Sequence, residues 1–197
     1  MKKINFFLNF IQSYQKIFLK VFFFEILYSL KFREFVPSIK IQNHHSRTDT
    51  VPCVYFFLHE ISKFIREKKI KSIVDIGSGY GRVVNFVSSI NNIKSYGIEY
   101  DNNVHKSALK NKKKGVKLYC GDVFNLKLEK FNSNCFILND PFKKLKDKRK
   151  FLSRFEKILP KKIKYLITVN INKGKLPNKY KLLKSIIASK TRCLKIY

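Results

Sequence analysis

The stretch Val74-Asp75-Ile76-Gly77-Ser78-Gly79-Tyr80-Gly81-Arg82 decides the reading of this 197-residue chain. It leaves an apolar run at 72–76 and enters an amphipathic run at 82–89, so it predicts a strand, a tight turn and a helix. Glycines at such a turn tolerate positive φ and let a ligand approach the backbone. The helix after the turn offers unpaired N–H groups and the positive end of its dipole. The spacing discriminates among ligands. The glycines fall at 77, 79 and 81 and Arg82 stands five after Gly77, so the dinucleotide pattern G-x-G-x-x-G is not met. No G-K-[ST] follows, which excludes a triphosphate loop.

Downstream of the turn, β-branched runs at 95–99, 116–120, 135–138 and 165–169 alternate with helical patterns at 104–112 and 147–158. That alternation predicts βαβ units around a parallel sheet. Residues 180–188 and 191–197 read as two further strands joined at Ser189-Lys190. Upstream, 54–66 reads as an amphipathic helix with Val54, Phe57, Leu58, Ile61 and Ile65 on one face. Tyr55 and His59, one turn apart on it, read as core ahead of the alternative that they face the ligand site. No internal repeat is visible.

Asp75-x-Gly77-x-Gly79-x-Gly81 resembles motif I of the class I S-adenosylmethionine-dependent methyltransferases, and further landmarks follow in that family's order. Glu99 ends the second strand, 18 residues after Gly81. Gly121-Asp122 follows the third strand. Asn139-Asp140-Pro141-Phe142 follows the fourth and is similar to the [ND]-P-P-[YF] motif of enzymes that methylate nitrogen, with Asp140 where that motif has a proline. The resemblance covers about 70–169, with Thr48-x-Thr50-x-Pro52 matching more loosely. It implies an α/β fold with a doubly wound, mostly parallel seven-strand Rossmann-like sheet. Residues 1–49 would be a helical appendage and connection, and 50–197 the methyltransferase domain.

The resemblance also implies roles. Asp75, Gly77, Ser78, Gly79, Tyr80, Gly81, Glu99 and Asp122 would hold S-adenosyl-L-methionine. Glu99 would take the ribose hydroxyls, since one carboxylate accepts two hydrogen bonds. Asp122 would meet the adenine amino group or cap the next helix. Asp75 would either lie near the cofactor's amino-acid end or orient the glycine loop through backbone N–H bonds, and Tyr80 would cover the methionine moiety. Asn139, Asp140, Pro141 and Phe142 would form the catalytic corner. There Asn139 is an acceptor for a substrate amine or a turn residue, and Phe142 is a pocket wall or core. The cofactor carries the reactive methyl, so the protein's task is positioning and no nucleophilic triad is expected.

The chain carries 42 Lys+Arg against 13 Asp+Glu, a formal charge of +29, with 35 of the bases lysine. The excess implies attraction to polyanions or to an anionic membrane surface. The aromatic–basic interleaving of an RNA-binding module is absent. The lysine clusters at 112–114, 143–150 and 161–164 fall in loops and helix ends and read as a solvated face. Cys53, Cys120, Cys135 and Cys193 form no C-x-x-C pair, and the histidines show no ligand spacing with them. Neither a disulfide framework nor a metal site is expected, and a reducing cytoplasmic setting fits.

Residues 4–30 are rich in Phe, Ile and Leu. Gln12, Ser13, Gln15 and Lys16 interrupt the apolar core and no A-x-A site follows, which argues against a signal peptide. The best apolar window, 17–30, holds only 14 residues and includes Lys20 and Glu25, short of the roughly 20 a span requires. The segment reads as an amphipathic helix, apolar all round at 21–24. It is expected to dock on the main domain or to lie in an anionic membrane interface.

The acceptor is expected to be an amine, a protein lysine or a small molecule. RNA or DNA methylation and a non-catalytic scaffold at a membrane surface are the alternatives.

Overall fold

Strands buried on both faces are what a parallel sheet between helices demands, and Ser72–Ile76 (β1) is buried at every position. The computed structural model describes residues 11–34, 50–158, 164–171 and 180–197. The start of the N-terminal helix at 4–10, Thr48 and most of the lysine cluster at 161–164 lie outside the described residues. β1 pairs in parallel with Lys94–Glu99 (β2) and with Cys135–Asn139 (β4). Val116–Cys120 (β3) adds in parallel to β2, and Tyr165–Val169 (β5) to β4. The last two strands, Lys184–Ile187 (β6) and Cys193–Ile196 (β7), form a hairpin whose second strand runs antiparallel to β5. The order is β3-β2-β1-β4-β5-β7-β6. The strand order reverses between β1 and β4, and ligands of open α/β sheets bind outside the carboxyl ends at that point.

Alternation along the strands divides the core into two layers. Ile73 of β1 joins one cluster with Val84, Phe86, Ile137 and Ile167. Val74 joins the other with Phe136, Phe142, Phe151 and Leu166. The first layer is covered by Tyr55–Glu67 (α2) and Arg82–Asn91 (α3). α3 begins at Gly81, whose φ of 84° closes the glycine turn, and ends at Asn92 in the left-handed region. Asn102–Lys110 (α4) starts two residues earlier than the apolar pattern predicts. The cause is Asp101, whose Oδ1 accepts the N–H groups of Asn103 at 2.9 Å and Val104 at 3.0 Å. Leu145–Ile158 follows β4 as α5.

The N-terminal helix Phe18–Phe32 (α1, entered through a 3-10 turn at Gln15–Ile17) docks on α2. Val21 and Tyr28 are buried there. Tyr28 Oη lies 2.9 Å from His59 Nδ1, and the Tyr28 ring meets Phe86 edge-on at 4.8 Å. His59 thus serves the core, as expected. No helix among the described residues is long and apolar enough to cross a membrane.

Candidate active site

The carboxyl ends of β1, β2 and β4 open into a cavity of about 450 Å³. Its floor is the glycine turn. Gly77 and Ser78 both donate their N–H groups to Ile98 O at 2.9 Å, which ties the turn to the neighbouring strand. Gly77 sits at φ 75°, and a Cβ there would come within 2.7 Å of Pro141 Cβ. Gly79 sits at φ 55°, and a Cβ there would meet Thr50 Cγ2 at the same distance. The backbone must therefore remain bare at both positions.

Two carboxylates define the site's electrostatics. Glu99 ends β2, where its Oε2 accepts Gly79 N–H and its Oε1 accepts Asp101 N–H, each at 2.8 Å. Burial raises the Glu99 carboxyl, and these backbone donors act against that rise. Asp75, one residue from the carboxyl end of β1, is buried, lines the cavity, and has no hydrogen-bond partner for either carboxylate oxygen. Its carboxyl is pushed up to about 8, first by burial and then by the charge of Glu99. In this structure the residue that accepts a glycine-loop N–H is Glu99, one strand over, and neither Asp75 oxygen accepts one.

The remaining expected residues divide. Ser78 is buried with an unpartnered hydroxyl, and Tyr80 is half-buried; both line the cavity. Gly81 is the N-cap of α3. Asp122 turns back on its own chain, its Oδ1 accepting Phe124 N–H at 3.0 Å, while its neighbours Gly121 and Val123 line the cavity. At the end of β4, Asn139 lines the cavity with loose contacts: Nδ2 donates to Val51 O at 3.4 Å, and Oδ1 accepts from Asn170 Nδ2 at 3.5 Å. Asp140 holds φ at 41° and pairs with Lys148, so its carboxylate is directed to α5. A non-glycine residue in that region is strained, and such strain gathers at functional corners. Pro141 and Phe142 line the cavity. The Phe142 ring lies 5.3 Å from Phe151 and 5.6 Å from Phe124, so it is both wall and core.

The sequence reading missed one wall. Phe32, Arg33 and Glu34, at the end of α1, line the cavity together with Tyr55 and Arg82. Arg82 is buried, with Nη1 on Cys53 O at 2.9 Å, Nη2 on Glu25 Oε2 at 3.0 Å and Nε on Glu34 Oε2 at 3.2 Å. Its guanidinium stacks 3.7 Å from the Tyr55 ring, and Tyr55 Oη donates to Glu34 Oε2 at 2.7 Å. Burial lowers Arg82's pKa, but the two acids outweigh that and hold it charged. A signal was present: Glu25 and Glu34 are the only acids in residues 1–34 of a strongly basic chain. Tyr55, for which the sequence left core and site both open, is core and cavity wall at once.

A family model, histone methylation protein DOT1, matches residues 40–193. The chain belongs to this family of S-adenosylmethionine-dependent methyltransferases. No curated protein matches the sequence significantly. Solved structures extend the likeness of fold. An RNA methyltransferase from Salinibacter ruber, crystallised with S-adenosyl-L-homocysteine, is 16% identical with a TM-score of 0.56 over 75% of this chain and 92% of its own. The methyltransferase domain of bacterial CtHen1-C is 12% identical with a TM-score of 0.53 over 71% of this chain and 94% of its own. The chain spans 46% of the plantazolicin methyltransferase BpumL, at 19% identity and a TM-score of 0.47.

The donor set of this DOT1-family chain fits its cofactor, S-adenosylmethionine. The orphaned Asp75 carboxylate suits a ligand that brings its own positive charge and N–H donors, because a buried carboxylate without either is costly. The bare backbone at Gly77 and Gly79 lets Pro141 and Thr50 close in against the turn, which shapes the cavity wall.

Proposed function

We propose that this class I methyltransferase methylates an amine, on a protein lysine or a small molecule, from the domain formed by residues 50–197. The observation that carries the reading is the pairing, in one cavity, of an unsatisfied buried acid on β1 with a loosely held amide at the end of β4.

When bound, S-adenosylmethionine supplies an electrophilic methyl group. The chain's residues do the rest. Asp75 receives the ammonium of the cofactor's amino-acid end. Glu99 uses the lone pairs left over from Gly79 and Asp101 to accept ribose hydroxyls. The turn Gly77, Ser78, Gly79, Tyr80 and Gly81 forms the bed, and Asp122 holds the adenine-side loop in register through its turn. Asn139 Oδ1 accepts an N–H of the neutral amine and aims its lone pair. As positive charge grows on that nitrogen, the Asn139 carbonyl and the backbone oxygens of the Asp140 corner stabilise it. Pro141 and Phe142 exclude water from the same corner. The family's description as histone methylation proteins supports a protein acceptor.

The deciding experiment incubates the protein with methyl-labelled cofactor and a lysate divided into protein, nucleic-acid and small-molecule fractions. Label in protein, recovered as methyl-lysine after hydrolysis, or on an amine in the small-molecule fraction supports the reading. Label confined to nucleic acid overturns it.

A further inference from the structure

Helix α1 has two apolar faces, and among the described residues the domain covers one of them. Val21 and Tyr28 face α2, and Phe24 and Phe32 pack partly against the same core. Leu19, Phe22, Phe23, Ile26, Leu27 and Leu30 lie on the other side, each between 44% and 79% exposed. Their spacing, i, i+3, i+4, i+7, i+8 and i+11, is one continuous stripe along the helix. The reading of 21–24 as apolar all round thus resolves into a docked side and an outward side.

The charges are sorted in the same way. Glu25, the only acid of the helix, is turned inward and held by Arg82. Lys20 and Lys31 are exposed and, at 100° per residue, fall along the margin of the stripe beside Leu27. The outward side is therefore apolar with a basic edge and no acid.

We propose that this stripe seats the protein on an anionic lipid bilayer, with α1 lying flat in the interface. A second copy is a poor occupant, because pairing two such faces brings like charges together in a chain of net charge +29. Insertion across the bilayer is excluded for α1 by its 15-residue length, which falls short of the roughly 20 residues of a span. A bilayer carrying negative headgroups matches both features together: acyl boundary for the stripe, phosphate for lysines that snorkel along its edge. The proposal is independent of which acceptor is methylated.

The chain has no tryptophan, so Phe23→Trp places a single fluorophore on the stripe and Leu182→Trp places one on an exposed site elsewhere. With vesicles of phosphatidylcholine and phosphatidylglycerol, emission from position 23 is expected to shift to the blue while position 182 does not. Phosphatidylcholine alone should leave both unchanged. Flotation of the full chain with the anionic vesicles should fall at least about tenfold in Phe23→Asp/Ile26→Asp, with cofactor affinity and melting temperature retained. The proposal is overturned if the protein stays off the vesicles, or if it binds without a shift at position 23. Equal flotation of the double variant also overturns it, because attraction would then rest on scattered lysines. A shift without lipid that tracks a dimer in light scattering overturns it in favour of a second copy.

Discussion

Arg82 Nη2 donates to Glu25 Oε2 across 3.0 Å, joining the first residue of the helix after the glycine turn to the middle of the N-terminal helix, 57 positions earlier. Burial raises the Glu25 carboxyl, and Arg82 pulls it back down. The appendage is thereby fastened to the element that positions the cofactor bed. Removing Arg82 strands Glu25 and Glu34 without a counter-charge. Arg82→Met is expected to cost about 3 kcal/mol in urea unfolding, the low end for a broken buried pair because Glu25 keeps some contact with solvent. Adding Glu25→Gln to that variant should recover part of the loss, which a mere packing defect at Arg82 would not allow.

With Asp75 holding the cofactor's ammonium as proposed, cofactor binding is expected to depend on pH. Its carboxyl ionises near 8 in the protein without ligand, whereas a bound ammonium favours the charged form. Cofactor affinity is expected to rise as pH climbs toward 8 and to fall again above it, where the cofactor's own α-ammonium loses its proton. Asp75→Asn should bind weakly with no such slope, as titration calorimetry across that range would show. Stability runs the other way. The folded state holds this proton to a higher pH than the unfolded chain does, so stability falls between about pH 4 and 8 and is level above. Above pH 8, Asp75→Asn is expected to be the more stable protein by at least about 1 kcal/mol, with the gap closing toward pH 4.

Glu99 holds two backbone donors with two oxygens, so an amide cannot replace it. Glu99→Gln leaves either Gly79 N–H or Asp101 N–H without an acceptor. The expected cost is about 1–3 kcal/mol of stability, together with cofactor binding weakened by at least tenfold in calorimetry. Undiminished affinity would remove Glu99 from the cofactor's contacts.

Asn139 is bound only loosely to Val51 and Asn170, so its loss should spare the fold. Asn139→Ala is expected to retain cofactor affinity and melting temperature while kcat falls about a hundredfold, the usual cost of one oriented acceptor or donor at the reacting group. A change confined to KM for the cofactor would place Asn139 with the cofactor instead.

Much of this was legible in the sequence because it depends on near neighbours. The bounds of β1, β3 and β5 agree with the runs at 72–76, 116–120 and 165–169; β1 and β5 are buried on both faces and carry a nearly unbroken apolar signal, whereas the edge strand β3 is marked by Val116, Leu118 and Tyr119 around an exposed Lys117. The glycine turn and the acid at the end of β2 were equally visible. The start of α4 was not, because its signal is a polar cap ahead of the apolar pattern rather than the pattern itself.

Sequence alone determined the sheet's strands and the glycine turn, because periodicity and glycine spacing are local consequences of backbone sterics, and the class of chemistry was implied by the resemblance of the motifs at successive strand ends to a known family. Only the tertiary structure decided how the acids divide their work. Glu99 holds the loop because β2 lies beside β1, Asp75 is left without a partner because it points into the cavity, and Glu25 turns inward because Arg82 waits there. Buried charges choose partners by proximity in space, and spacing along the chain carries no record of it.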